Sequence, residues 1–184
     1  MNDAEQITAP ALRRATAEDK PAIAALIERS ARGLSRDDYA DGQIEAAVAR
    51  VFGVDSELIE DGTYVVAEAG GRLVGCGGWS RRRTLFGGDQ AASREAGLLD
   101  PATDAAKIRA FFVDPDWARR GVATAILERC EAEAREAGFR AAELMATLPG
   151  VKFYRARGYE GDERISYDAE VTAIEFVPMR KRLA

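Results

Sequence analysis

Apolar residues along this chain repeat with two periods, and each change of period marks an element. Ile108 to Val113 is a short apolar, aromatic and β-branched run that fits a buried strand. Asp114-Pro115-Asp116 stops it, because proline offers no N–H to a ladder and aspartate favours turns. From Arg119-Arg120-Gly121 onward the spacing is helical, with Ala123, Ile126, Leu127, Cys130, Ala134 and Ala137 on one face. Gly138 caps that helix, and Arg140 to Thr147 reads as the next strand. A strand, a helix and a strand predict a right-handed crossover between parallel neighbours, with any ligand site at their carboxyl ends.

The flanks carry the same two signals. Leu12 to Ala15 reads as a first strand, and Thr16 or Asp19 then caps a helix with Pro21 in its first turn. Ile23, Leu26 and Ile27 supply that helix's apolar face. Ser35 to Phe52 predicts a second helical region, carried by Tyr39, Ile44, Ala47, Val48 and Val51. Ser56 to Ile59 fits a short strand or a helical turn. Thr63 to Ala69 and Arg72 to Trp79 form the arms of a hairpin about Gly70-Gly71, and the three glycines of the second arm mark a bulge or a close backbone approach. Residues 87–105 read as a polar loop with one helical turn, long enough to bear on specificity. Glu131 and Arg135 are spaced as an i, i+4 pair on the outer helix face, and 164–183 as a closing hairpin. Residues 1–10 read as a flexible leader and 11–184 as one domain.

Composition narrows the chemistry. Hydrophobic residues make up 47% and charged residues 31% of the 184 positions, an ordinary globular balance. A net charge of -5 argues against nucleic acid as the main partner. No apolar run approaches the roughly 18 residues of a membrane span, so we expect a cytoplasmic chain without membrane contact. Two cysteines, Cys76 and Cys130, are too few for a disulfide framework and lack metal-ligand spacing, so no metal is expected. The chain has no histidine, which excludes histidine triads and imidazole bases and leaves Glu, Asp, Tyr, Cys, Lys or water to move protons. The run Arg81-Arg82-Arg83 reads as a solvated strand end, with attraction of an anionic group as the alternative.

The strand, turn and glycine-opened helix at 108–127 make a device for binding anions. The first N–H groups of a helix have no internal partners, and the helix dipole adds partial positive charge there. Gly121 admits close approach to the backbone, the small Ala123 leaves room, and Arg119 and Arg120 offer forked donors. A diphosphate suits such a spot. No lysine follows Gly121, so the phosphate loop of mononucleotide binders is absent; a single glycine likewise falls short of the dinucleotide fingerprint.

Val113-Asp114-Pro115 followed by Arg119-Arg120-Gly121-Val122-Ala123 resembles the acyl-coenzyme A binding motif of the GNAT superfamily of N-acetyltransferases. Ala118 stands where that motif has Gln or Arg. Phe153-Tyr154 and Gly158-Tyr159 match a second feature, a short helix with Phe-Tyr before a Gly-aromatic pair, while Thr147 replaces a common asparagine and Gly150 a common alanine. The resemblance implies a mixed α/β fold: a mostly antiparallel sheet with a central splayed parallel strand pair, helices on both faces. It implies acetyl-coenzyme A as cosubstrate, bound by Phe111, Val113, Arg119, Arg120, Gly121, Val122, Ala123, Thr124 and Thr147. Backbone donors near Phe111 and Val113 would hold the thioester, and Tyr154 would be the general acid. Trp79, Tyr39 and Phe52 are candidates for the acceptor side, and Glu143, Glu68 and Glu57 for a base. The activity implied is direct acetyl transfer to a primary amine of a small molecule, peptide or protein, in a family often dimeric. A catalytically degenerate coenzyme-binding sensor is the alternative.

Overall fold

In the computed structural model, residues 9–183 are described; the first eight residues of the expected leader lie outside them. Strands β1 (Ala11–Arg14), β2 (Tyr64–Ala69), β3 (Arg72–Ser80), β4 (Ala106–Val113), β5 (Ala141–Thr147), β6 (Ile165–Asp168) and β7 (Ala173–Arg182) form one sheet. Their order is β1-β2-β3-β4-β5-β7-β6. Every neighbouring pair is antiparallel except β4 and β5, joined in parallel through the crossover helix α4 (Val122–Glu136).

Both faces of the sheet are covered. Against one face α4 packs Val122, Ile126, Leu127, Cys130 and Ala134 onto Val65, Val74, Ile108 and Leu144. Against the other, α1 (Lys20–Leu34) packs Ile23, Leu26 and Ile27 onto Tyr64, Val66 and Cys76. Helix α2 (Asp41–Arg50) sets Ile44 and Ala47 beside Ile174 and Phe176 of β7. The sequence alternates small and large residues where the layers meet most closely. A Cβ at Gly75 would come within 2.5 Å of Val122, and one at Gly77 within 2.5 Å of the Phe111 ring. The glycines of β3 therefore let α4 and the Phe111 side chain sit against the sheet.

Some elements differ from the sequence reading. The second helical region begins only at Asp41, because Ser35 to Ala40 turns out of the helix and swings Tyr39 toward β7. Residues 56–60 form a short helix, α3 (Ser56–Glu60), whose cap is Asp55, accepting from the Leu58 N–H at 3.3 Å. The 87–105 segment forms no helix but contains a turn of helical type, with the Asp104 N–H donating to the Asp100 carbonyl at 2.8 Å; side chains tie down the rest, with Asp89 accepting from Ser56 and Arg94 donating to the Gly87 carbonyl. Arg82, read as solvated, forms a two-pronged ion pair with Asp61. Glu131 is buried rather than on the outer face, accepting from the Tyr159 hydroxyl at 3.0 Å and from Lys181 at 2.7 Å. Helical rotation alone did not reveal that the following strands would cover that side of α4.

Candidate active site

The site begins where β4 parts from β5. The two strands pair only at Ala106 to Ile108 against Ala142 to Leu144, and beyond that point β4 diverges. A register shift against β3 between Cys76 and Gly78 marks a bulge, and Ala110 takes a φ of 56°, a conformation a side chain rarely adopts. The fully buried Tyr64 hydroxyl lies 3.3 Å from the Ala110 carbonyl and 3.4 Å from the Cys76 sulfur, so side chains under the sheet support the bulge.

The strands open onto one cleft of about 810 Å³. It runs from the start of α4 and the α5 helix (Val151–Arg155) to a group of aromatic rings beside β7. Phe111, Val113, Arg119, Gly121, Val122, Ala123, Thr124, Thr147 and Tyr154 all line it. Of the residues expected to bind coenzyme, Arg120 alone is outside the lining; its guanidinium lies over the Trp117 ring at 5.4 Å.

Local backbone explains the start of α4. Asp114 is buried and holds the turn, its Oδ1 accepting from the Asp116 N–H at 3.1 Å and its Oδ2 from Arg72 at 2.8 Å and Arg29 at 3.1 Å. Those partners hold its carboxyl below the usual aspartate range despite its burial. Arg119 and Gly121 then take φ values of 62° and 84°, turning the chain sharply into the helix. Gly121 caps α4 with no side-chain hydrogen bond, and the first-turn residues Val122, Ala123 and Thr124 line the cleft, where a helix start offers N–H groups without partners inside the helix. Arg157, which the sequence reading did not single out, adds a cation here: its guanidinium meets the Thr124 hydroxyl and stacks 4.0 Å from the Phe153 ring, with its buried Nε unpartnered among the described residues.

On the β4 edge, the Val113 N–H donates to the Ser30 hydroxyl at 3.2 Å, while the Asp114 N–H pairs with Val74 of β3. Strand alternation directs the Phe111 N–H to the same side as that of Val113, the side β5 has left. Tyr154 sits across the cleft, its ring edge-on to Phe111 at 6.4 Å and to Tyr159 at 5.7 Å. Its hydroxyl makes no hydrogen bond among the described residues, and burial pushes its pKa well up, so it stays protonated.

The expected acceptor residues divide. Phe52 lines the cleft. Trp79 does not: it is buried under α4, edge-on to Phe139 at 6.1 Å, with its indole N–H donating to Glu133 at 3.0 Å. Tyr39 also lies outside the lining; its hydroxyl donates to the Glu175 carbonyl at 2.6 Å and accepts from the Leu148 N–H at 2.9 Å. It ties the 148–150 turn to β7, which orients the helix carrying Tyr154.

The carboxylates weighed as bases are engaged elsewhere. Glu68 pairs with Arg13 at 3.0 Å, Glu143 with Lys107 and with Arg180 at 3.7 Å, and Glu57 with Arg94 at 2.6 Å. Cys76 and Cys130 are both fully buried, and burial pushes the Cys76 thiol up to about 12. A thiolate there forms only as pH approaches that value, so the native chain should show no reaction with a thiol reagent between pH 7 and 9. Unfolding should release both thiols to the reagent, whereas rapid labelling of the folded chain would contradict their burial.

Comparison with known proteins bears on this geometry. The family model for the acetyltransferase (GNAT) family matches residues 27–159. No curated protein matches the sequence. Among solved structures, a GCN5-related N-acetyltransferase from Rhodopseudomonas palustris superposes with a TM-score of 0.71 at 24% identity, over 96% of this chain and 98% of the other. PaiA N-acetyltransferase from Thermoplasma acidophilum, solved in complex with coenzyme A, gives 0.65 at 13% identity over 95% and 99%. N-acetylglutamate synthase from Neisseria gonorrhoeae, complexed with coenzyme A and N-acetyl-glutamate, gives 0.60 at 18% identity over 95% of this chain and 35% of that one. At these identities the likenesses establish the fold.

Proposed function

The chain belongs to the acetyltransferase (GNAT) family, and from that premise we propose that it transfers an acetyl group from acetyl-coenzyme A directly to a primary amine, with no covalent enzyme intermediate. The observation that carries this reading is the placement of the free α4 start, the open edge of β4 and the Tyr154 hydroxyl around one cleft. The family implies the cosubstrate, and the residues present suit it.

In this reading the N–H groups from Gly121 to Thr124 hold the diphosphate, with Arg119 and the unpartnered Nε of Arg157 adding charge. The pantetheine arm runs along the edge of β4, where the Phe111 N–H donates to the thioester carbonyl and stabilises the developing oxyanion. The neutral amine attacks the carbonyl carbon, and the C–N bond forms. As the tetrahedral centre collapses the C–S bond breaks, Tyr154 gives its proton to the departing sulfur, and the nitrogen's extra proton leaves to water. The products are an N-acetyl amine and free coenzyme A, and Tyr154 is reprotonated from solvent. The acceptor is a small molecule or a peptide amino group, and we place the reaction in the cytoplasm, independent of nucleic acid or membrane, in a homodimer.

Thiol release from acetyl-coenzyme A, with formation of the acetylated amine followed by mass, tests this. Because both protein thiols are buried, the reagent reads the coenzyme alone. Amine-dependent release at a rate well above hydrolysis supports the transferase. Tight binding of acetyl-coenzyme A without release from any amine would instead favour a sensor.

A further inference from the structure

The acceptor end of the cleft combines features that restrict which amine can react there. Phe52, Phe86, Phe112, Phe176 and Met145 line it. The rings contact one another: Phe52 meets Phe112 edge-on at 5.5 Å and Phe176 at 6.4 Å, and Phe86 lies 5.5 Å from Phe176. Such a wall favours an aromatic or apolar body.

The charges point the same way. No Asp or Glu lines the cleft among the described residues; of the cations that do, Arg119 and Arg157 lie at the start of α4, and the Arg109 guanidinium is buried against Asp55 and Glu57. Asp55 and Glu57, which the lining residue Arg109 reaches, are already paired. Arg109 stands 3.2 Å from Asp55 and 3.4 Å from Glu57, and Arg94 lies 3.2 Å and 2.6 Å from the same two groups. An ammonium entering the aromatic end of the cleft would find no carboxylate among the described lining residues to pair with it or take its proton. With no histidine in the chain either, water is left to take the amine's proton before attack, which favours an amine already neutral. A lysine-like amine with a pKa of about 10.4 is neutral in only about one molecule in 2,500 at pH 7, whereas an arylamine, its lone pair delocalised into the ring, is largely neutral there.

We infer that the acceptor is a weakly basic amine on an aromatic body, of the arylamine class, carrying no second positive charge. This rests on the acetyl-transfer reading above and names its substrate class. The bond changes are those already given, with the attacking nitrogen uncharged from the start, so no protein base is required.

The test uses the full chain with acetyl-coenzyme A and four probes: p-toluidine, phenethylamine, spermidine and a lysyl peptide. We expect kcat/KM for p-toluidine to exceed that for spermidine and the peptide by at least about 100-fold, and to stay flat between pH 6 and 9. Phenethylamine should turn over more slowly near neutrality, with a rate that rises with pH as its ammonium deprotonates. Phe86→Ala should raise KM for p-toluidine about tenfold while leaving acetyl-coenzyme A affinity unchanged, and Phe86→Leu should recover part of the loss. Preference for spermidine or the lysyl peptide would overturn the inference while leaving acetyl transfer intact. Absence of release from every amine would overturn the transferase reading itself.

Discussion

Gly121→Glu is expected to abolish binding of acetyl-coenzyme A while the protein remains folded. Gly121 adopts a φ of 84° and caps α4, and a Cβ there would meet nothing within 4 Å, so a new side chain enters the open space before the helix. The backbone strain is about 1–2 kcal/mol, small against the roughly 5–15 kcal/mol that keeps a domain folded. The larger effect is electrostatic. A carboxylate about 4 Å from a phosphate near a protein surface costs about 4 kcal/mol, and a loss of about 2.7 kcal/mol is already a hundredfold in affinity. Gly121→Ala carries the same strain without the charge. It should lower Tm by a similar amount yet retain most of the affinity. If the alanine and glutamate variants bound alike by calorimetry, the diphosphate would not lie at this helix start.

Tyr154→Phe should lower kcat by about a hundredfold, the lower end of what a general acid contributes. Acetyl-coenzyme A affinity should stay within about twofold. The ring packs against Phe111, Phe153 and Tyr159, and those contacts survive the change. The hydroxyl makes no hydrogen bond among the described residues, so its removal should cost little stability. Burial raises the phenol's pKa well above the usual tyrosine value, so the acid form persists as pH rises, and activity should not fall between pH 7 and 9 through loss of this proton. Wild-type turnover in the phenylalanine variant would remove Tyr154 from the chemistry.

The local half of this site was legible in the sequence because its parts are contiguous. A run that ends at Val113-Asp114-Pro115 and restarts with a glycine at a helical period already implies a strand turning into an open helix start. The parallel neighbour followed from the crossover, and the glycines of β3 correctly signalled close approach, since Gly75 and Gly77 face Val122 and Phe111. Trp79 could not be placed the same way. It lies near the end of a glycine-rich strand whose register shifts between Cys76 and Gly78, so counting alternate residues loses the face. Tyr39 reads as an acceptor aromatic until tertiary contacts show its hydroxyl spent on Glu175 and Leu148.

The aromatic wall of the cleft is assembled from distant segments. Phe52 follows α2, Phe86 opens a long loop, Phe112 lies on β4 and Phe176 on β7, and no spacing rule links them. Arg157 was hidden for another reason: its role depends on the fold bringing it beside Thr124, thirty-three positions earlier in the chain. The absence of histidine was visible from the start, yet its meaning depends on the lining. Only once Glu57, Glu68 and Glu143 are found in ion pairs does the lack of a base become a statement about the amine.

The most direct measurement is calorimetric titration of the full chain with acetyl-coenzyme A, before any acceptor is added. Saturable binding, one coenzyme per chain, weakened at least a hundredfold by Gly121→Glu and little by Tyr154→Phe, is the result predicted by a diphosphate held at the start of α4. No heat of binding at concentrations well above the micromolar range would contradict that assignment and the transfer chemistry built on it.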